Sequence, residues 1–560
     1  MIKNSTKKSP SMPLKIGLIS DSTQISVYVR DLVQWAKNEP GIELKHYILH
    51  KAPPSSETKT KSKISRLWHS LKKHGLRKTI SNVLFQALTW FEFIKLKRNQ
   101  VHINHLDKYN ILDFGLTILK INPVVSKLGT VHEFSEDDIQ KITLLELDLM
   151  LICGLPILCG SILTTCKFGI LSIHCGDYFQ YRGCPEGFWE VLNEADNTGF
   201  VINKLADNMG NGIVYFHGLM ETKGSWLFNQ ANIYSQSFHY FKEFLKKLGI
   251  AKKLPNPLPV LPYSRTPHTM PDMLDTIRYA WIRLKNRAKN SVKSQSVWNV
   301  AFVHSHWRDA SLYEGIPLPA LPGKGLADPF VYSKDGKEYC FVEEIDEANS
   351  KGSIVVYELF QTSAIRLGTV LDENFHLSFP YIFEYEGQLL MLPESHQNQD
   401  IRLYECIDFP LQWKLKHIIM NNISAVDTLL FHKDNKWWIF TNTNQSNDPG
   451  HFYEMVIFSA DSPFEKEWTP HPLNPVYVDA SRARNGGFFQ SDNKFYRVSQ
   501  AQGIDNYGKS ATINEIIELT DGSFREVRIA NILPYFKKGI KGTHHFHTNG
   551  PTTVFDFNKS

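Results

Sequence analysis

The chain has 560 residues, 42% hydrophobic and 21% charged, with a formal net charge of +5. That length exceeds what one hydrophobic core sustains, so two or three domains are expected. The composition is that of an ordinary globular protein, and so small a net charge excludes a polycation built for nucleic acid; no nucleic-acid partner is expected.

Residues 1–12 read as a disordered polar tail without the apolar stretch of a secretory signal. Residues 13–250 read as an α/β domain. Lys15–Ser20 is a short apolar run, Ser22–Lys37 a helix and Leu44–Leu49 a second strand, which is the rhythm of a parallel sheet. Residues 52–100 interrupt that rhythm as a basic helical insertion. Ala52–Lys63 is a loop in composition. Ile64–Arg98 has helical period, basic residues such as Arg66, Lys72, Arg77 and Lys95, and an apolar side with Trp68, Leu76, Phe85, Trp90 and Phe91. Two readings stand: an insertion packed on the domain, or an interfacial segment that touches an anionic membrane surface through residues 59–98. Ile111–Ile121 and Gly129–Phe134 then read as strands. A helix follows from Ser135, with Asp138 three residues on as an N-cap signal. Asp148–Cys153 and Gly169–Ile173 are further strands, the latter ending at His174. The apolar run Leu144–Leu163 is broken by Glu146, Asp148, Gly154, Pro156 and Gly160, and reads as a buried strand with turns rather than a membrane span.

The seven cysteines form no CxxC pair and no zinc-type spacing. Reduced thiols, no metal, and a cytoplasmic location, peripheral at the inner membrane face, are the expectations. Residues 251–297 read as a Pro-rich linker, with Pro255, Pro257, Pro259 and Pro262, followed by a basic bridging helix over Thr276–Lys293.

Residues 298–560 repeat. Asp328–Glu344 aligns without a gap on Phe379–Ser395, matching Pro329 to Pro380, Gly336 to Gly387 and Glu343 to Glu394. Asp427–Thr443 and Asn485–Gln500 follow, with Asn435 and Asn493 at the glycine position. Each unit is strand, tight turn, strand, and Asp-Gly, Glu-Gly or Asp-Asn at the turn suits positive φ. A period near 50 residues with a hairpin per unit predicts an all-β, five-bladed β-propeller. The fifth unit is His544–Phe557, closed by an early strand at Trp298–Val303. First strands of propeller blades line the centre, so Asp328, Ser378, Asp427 and Asn485 are expected to converge, with His376, His544, Arg482 and Arg484 near them. Asp328 and Asp427 are the candidate acid/base pair or sugar clamp, with Glu343, Glu394 and Arg484 as further substrate-binding candidates. The alternative is that these carboxylates cap turns and brace strand starts.

The motifs Leu326–Phe330 (LADPF), Leu377–Phe383 (LSFPYIF), Leu392–Ser395 (LPES) and Ala425–Phe431 (AVDTLLF) resemble the N-terminal, propeller-like region of plant glucosamine inositolphosphorylceramide transferases. Ala327–Pro329 also resembles family-43-type glycosidases; no general acid can be assigned, so hydrolysis is not expected. In the first half, Leu171 through Gly212, with Thr198 and Gly199 in register, resembles formyltransferases that use 10-formyltetrahydrofolate. That resemblance implies a formyltransferase-like α/β parallel-sheet fold and 10-formyltetrahydrofolate as cofactor. His174 falls on the family's histidine. Ser172 replaces its asparagine and Gly210 its aspartate. Losing one oxyanion donor costs on the order of 10²–10³ in rate. Asp207 and Asp177 are the carboxylates placed to substitute, and Arg182 is a candidate anion contact. Cys175 has no activating partner in sequence.

The expected function is a formyltransferase-like enzyme of surface-glycan or glycolipid biosynthesis, with a sugar nucleotide, saccharide or glycolipid as substrate. The alternative is a glycosyltransferase-related or glycan-binding protein whose first domain is a degenerate scaffold.

Overall fold

Leu14–Ser20 (β1) is apolar almost throughout because the strand is buried on both faces, as a central strand of a parallel sheet must be. The computed structural model describes residues 12–50, 63–98, 102–126, 131–154, 157–181, 183–207, 212–259, 269–291, 297–445 and 450–559. They divide into two compact units, 1–218 with 223–285, and 286–560 with 219–222.

In the first unit, β1 runs parallel to Ile42–His50 (β2) and to Leu149–Ile152 (β4), and β2 runs parallel to Thr117–Ile121 (β3). Ile170–Cys175 (β5), Asn197–Lys204 (β6) and Ile213–Glu221 (β7) complete a seven-stranded sheet of order β7-β6-β5-β4-β1-β2-β3; β5 runs parallel to β4 but antiparallel to β6, so the sheet is mixed rather than the parallel one expected from the strand–helix rhythm. The helices are Val27–Asn38 (α1), Lys63–Leu96 (α2), Glu136–Thr143 (α3), Phe188–Leu192 (α4), Trp226–Ala251 (α5) and Met273–Ser291 (α6). The core on one side of the sheet joins Leu32 and Val33 of α1 and Phe241, Leu245 and Leu248 of α5 to Leu14, Ile16 and Leu18.

Several boundaries differ from the sequence reading. α1 starts at Val27 rather than Ser22, because Gln24–Ser26 pairs as a short strand with Lys108–Asn110 and Ser26 then accepts from the Val29 N–H as N-cap. Ile111–Ile121 is not one strand: a 3₁₀ turn over Ile111–Phe114 ends at Gly115, φ 69°, before β3 begins. Ser135 caps α3 as expected, accepting from the Asp138 N–H at 3.3 Å. The basic insertion is one helix over Lys63–Leu96; residues 52–62 lie outside the described residues. α6, read as a bridge, belongs to the first unit through residue 285. No helix among the described residues is long and apolar enough to cross a membrane.

The second unit is five antiparallel sheets in succession. Their innermost strands are Lys324–Lys334 (β8), Ser378–Tyr385 (β9), Ala425–Lys433 (β10), Asn485–Ser491 (β11) and Phe546–Asn549 (β12). These five contact one another in a ring, with β12 returning to β8. The last sheet mixes chain ends: Val297–Val303 pairs with Thr552–Lys559 from Val297↔Lys559 to Val303↔Thr553. The arrangement is propeller-like, with the closure expected from Trp298–Val303. The turns take positive φ at both central positions, as at Asp335 (53°) and Gly336 (74°), and at Asp434 (52°) and Asn435 (60°).

Candidate functional site

Four of the five inner strands carry a β-bulge at the same place. In the first blade, Ala327 pairs with Glu343 and Phe330 with Phe341, so Asp328 and Pro329 stand opposite a single residue. The bulge recurs between Ser378 and Tyr381, Val426 and Leu429, and Asn485 and Phe488. Two residues before each paired apolar residue, the bulge turns a side chain toward the ring centre. Those positions hold Asp328, Phe379, Asp427 and Gly486, with His544 two residues before Phe546 in the fifth blade. Asp328 and Asp427 adopt φ of 51° and 48°, a left-handed backbone that aspartate tolerates better than most side chains.

The bulge corrects two alignments. Ser378 and Asn485 precede the converging position by one residue. The fourth inner strand is one residue shorter before its turn, so Ser499, not Gln500, is the counterpart of Glu343. Asn485 acts as a brace, its amide donating to the carbonyls of Asp427 (2.8 Å) and Phe440 (3.1 Å).

The structure brings Asp328, Glu343, Glu394, Asp427 and Arg484 together, with four histidines. Glu343 Oε1 lies 3.1 Å from His376 Nε2, and Glu394 Oε1 2.7 Å from His396 Nδ1. Asp427 Oδ2 accepts from Arg484 Nε and, at 3.1 Å, from the Gln500 amide. Burial pushes the Glu343 carboxyl up to about 7 against the opposing pull of His376. Burial would also raise Glu394, but the His396 hydrogen bond and the Arg484 charge outweigh it and hold that carboxyl at about 2. Carboxyls of opposite tendency thus share one buried cluster.

Asp328 is incompletely satisfied. Its Oδ1 lies 3.4 Å from both His544 Nε2 and His545 Nδ1, too long for good hydrogen bonds, and has no hydrogen-bond partner. Asp556 Oδ1 accepts from the backbone N–H of both histidines at 2.9 Å. Asp556 Oδ2 sits 2.7 Å from His544 Nδ1 without hydrogen-bond alignment. Asp328, His544 and Asp556 offer atoms all within 4.8 Å of one another, a carboxylate–imidazole set able to hold a divalent cation. No local spacing announces it, because residues 328 and 544 meet only through ring closure.

An aromatic shelf adjoins this cluster and escaped the sequence reading. Tyr507 and half-buried Trp298 and Phe452 gather with ring centroids 6.1 Å (Trp298–Tyr507) and 5.7 Å (Phe452–Tyr507) apart. Tyr507 lies 5.1 Å from the His544 ring, and the Arg484 guanidinium 5.1 Å from the Tyr507 ring. Gly508, φ 60°, lets these rings close, since a Cβ there would lie 2.9 Å from His544 Cβ.

In the first unit, Ser172 and His174 are two residues apart on β5, hence on one face of the sheet, both half-buried. Neither proposed substitute carboxylate is idle. Asp177 accepts from the backbone N–H of Phe179 (3.0 Å) and Gln180 (3.3 Å), closing a turn. Asp207 accepts from the Gly160 N–H at 3.1 Å. Gly210 and Arg182 lie outside the described residues. The sequence reading missed Glu190. It is fully buried, its Oε1 accepts from the Asp177 N–H at 2.6 Å, and its Oε2 has no hydrogen-bond partner. A Cβ on Gly176 would lie 3.6 Å from Glu190 Oε1 and 3.9 Å from His174 Nε2, so carboxyl and imidazole flank the same glycine. Burial pushes the Cys175 thiol far above its ordinary range, as befits an inert core residue.

The family described as glucosamine inositolphosphorylceramide transferase 1, N-terminal, matches residues 313–549, wholly inside the second unit. The glucosamine inositolphosphorylceramide transferase 1 of Arabidopsis thaliana is 34% identical over 236 residues, which is 40% of this chain and 30% of that relative. The chain therefore spans under a third of the length of that curated relative. Among solved structures, Zg3597, a family 117 glycoside hydrolase of Zobellia galactanivorans, is similar at a TM-score of 0.31 and 12% identity, covering 47% of this chain and 90% of that one. The glycinamide ribonucleotide transformylase 1 of Symbiobacterium toebii is similar at 0.29 and 10%, covering 46% and 97%. Both scores are low, and the architecture of each unit rests on its own strand order.

Proposed function

We propose that the chain is a sugar-handling protein of the glycolipid-transferase type, in which the ring of the second unit binds a saccharide or glycolipid headgroup. The observation that carries this reading is the aromatic shelf of Trp298, Phe452 and Tyr507 beside the buried Asp328–Asp427–Arg484 cluster. A sugar ring has an apolar C–H face that stacks on aromatic rings and hydroxyls that bond carboxylates and guanidinium, so the two features together match its chemistry. The relatives' name, a transferase of glucosamine onto inositolphosphorylceramide, points to an amino sugar or an inositol phosphate headgroup. A basic helix over residues 63–96 suits a protein that meets glycolipid at an anionic surface.

Calorimetric titration with glucosamine, N-acetylglucosamine, a nucleotide sugar and inositol phosphate tests the reading. One of them is expected to bind, and Asp328→Asn or Tyr507→Ala to weaken it at least about tenfold, the equivalent of about 1.4 kcal/mol. No binding of any at millimolar concentration sinks it.

A second reading keeps amino-sugar formylation in the first unit. It is favoured by the half-buried pair Ser172 and His174 and the partnerless Glu190 oxygen beside them. The donor set does not fit the cofactor well: a short hydroxyl stands for an amide, Asp177 is bound into a turn, and Asp207 is held by the Gly160 N–H. Binding of 10-formyltetrahydrofolate that His174→Ala abolishes would raise this reading above the first.

A further inference from the structure

A helix on the surface of a water-soluble domain turns its apolar stripe inward and its polar residues outward. Two helices of the first unit carry an apolar stripe on the outward side as well. In α2 the inward stripe is Phe85, Glu92 and Leu96. Leu76, Ile80, Val83, Leu84, Trp90 and Phe91 recur at helical spacing on the opposite side, and all are exposed, Phe91 at 65%. In α6 the inward stripe is Thr276, Tyr279 and Ile282, while Leu274, Ile277, Trp281 and Leu284 face outward, Trp281 at 61%.

The two helices are neighbours. Tyr279 Oη donates to Glu92 Oε1 at 2.9 Å, Arg283 Nε lies 3.7 Å from the same oxygen, and Arg77 lies 3.8 Å from Asp272 beside the start of α6. Phe85, Leu96, Tyr279 and Ile282 share one core, so both outward ridges point away from it. Burial of Glu92 leaves the outward face of α2 without a carboxylate. Over its length α2 carries seven Lys and Arg against that one acid. α6 carries five against Asp275 alone. Arg278, Lys285 and Arg287 are exposed beside the apolar ridge.

We propose that α2 and α6 together form a docking surface that lies on an anionic lipid bilayer, the ridges entering the headgroup boundary and the lysines and arginines meeting lipid phosphates. An apolar ridge flanked by cations is the amphipathic pattern of interfacial helices, and Trp90 and Trp281 are the ring type that settles at headgroup depth. Charge complementarity selects anionic lipid over a neutral partner. The surface stands on helix geometry and charge alone and does not depend on what the second unit binds.

The test is co-sedimentation of the full chain with vesicles of phosphatidylcholine alone or with roughly a third phosphatidylserine, where about tenfold tighter binding to the anionic vesicles is expected. Trp90→Glu and Trp281→Glu are each expected to weaken that binding by about tenfold, with an unchanged thermal midpoint because both rings are solvent-facing. Should either variant unfold, the paired change Arg278→Glu with Lys285→Glu is read instead, and loss of the preference for anionic lipid is expected. Equal binding to both vesicle types, or variants that sediment like the parent, would overturn the proposal. So would a lipid-free dimer that Trp281→Glu dissociates, since the face would then be an interface between copies.

Discussion

Glu190 shows what a single buried carboxyl does to this protein. Burial pushes it from its ordinary 4.5 up to about 7. The unfolded chain gives up that proton first, so between those values the folded state binds more protons and loses stability as pH rises. The full shift is worth about 3 kcal/mol. Glu190→Gln is therefore expected to leave urea unfolding unchanged at pH 4 and to stabilise by about 1–3 kcal/mol at pH 8. Equal effects at both pH values would assign the gain to packing. Glu190 was not legible in sequence, because a glutamate inside Gly187–Asn193 looks like any surface residue of a short helix. Asp328 and Asp427 were legible because the repeat fixes them at one structural position. His545 and Asp556 were not, since the Asp328 carboxylate that completes their cluster comes from the first blade, far away in sequence.

At the scale of elements, the turns could be read directly, because the Gly, Asp and Asn of Asp-Gly, Glu-Gly and Asp-Asn are among the residues that tolerate positive φ. The bulges could not. They break the period of two for a pair of residues, and no one residue type marks them: Asp-Pro, Phe-Pro, Asp-Thr and Gly-Gly all serve. The gapless alignment also carried the fourth unit one residue out of register, because its inner strand is one residue shorter before the turn. Gly486 and Gly487 are the bulge residues where only glycine fits: a Cβ would lie 2.1 Å from the His544 carbonyl oxygen at Gly486 and, with φ 126°, 2.2 Å from the Phe546 carbonyl oxygen at Gly487. Gly487→Ala is expected to cost at least about 2 kcal/mol in chemical unfolding, whereas Gly522→Ala, with nothing within 4 Å of its Cβ, should be near neutral.

For the whole molecule, the strand–helix rhythm and the repeat period were enough to expect a parallel sheet followed by a blade ring. What they could not supply was the allegiance of α6, whose basic outer residues read as linker while Tyr279 and Ile282 pack into the first unit. The ring is held shut by one strand pair. Ala301 pairs with Phe555 on one side and Pro317 on the other, at the middle of that closure. Ala301→Pro is expected to remove ladder bonds there at a cost of about 3 kcal/mol or more, seen as faster limited proteolysis of the second unit. A variant as resistant as the parent would show that the ring is stable without its latch.

That latch also sets an order of events in time. Asp328 faces His544 across 216 residues of sequence, and the strand holding Asp556 is made after the other strands of the ring. Contacts of such separation form late and slowly, after the local hairpins have settled. During synthesis, four blades can stand finished on the ribosome while the centre lacks two histidines and a carboxylate. The cluster is thus withheld from every chain that has not yet made its fifth inner strand.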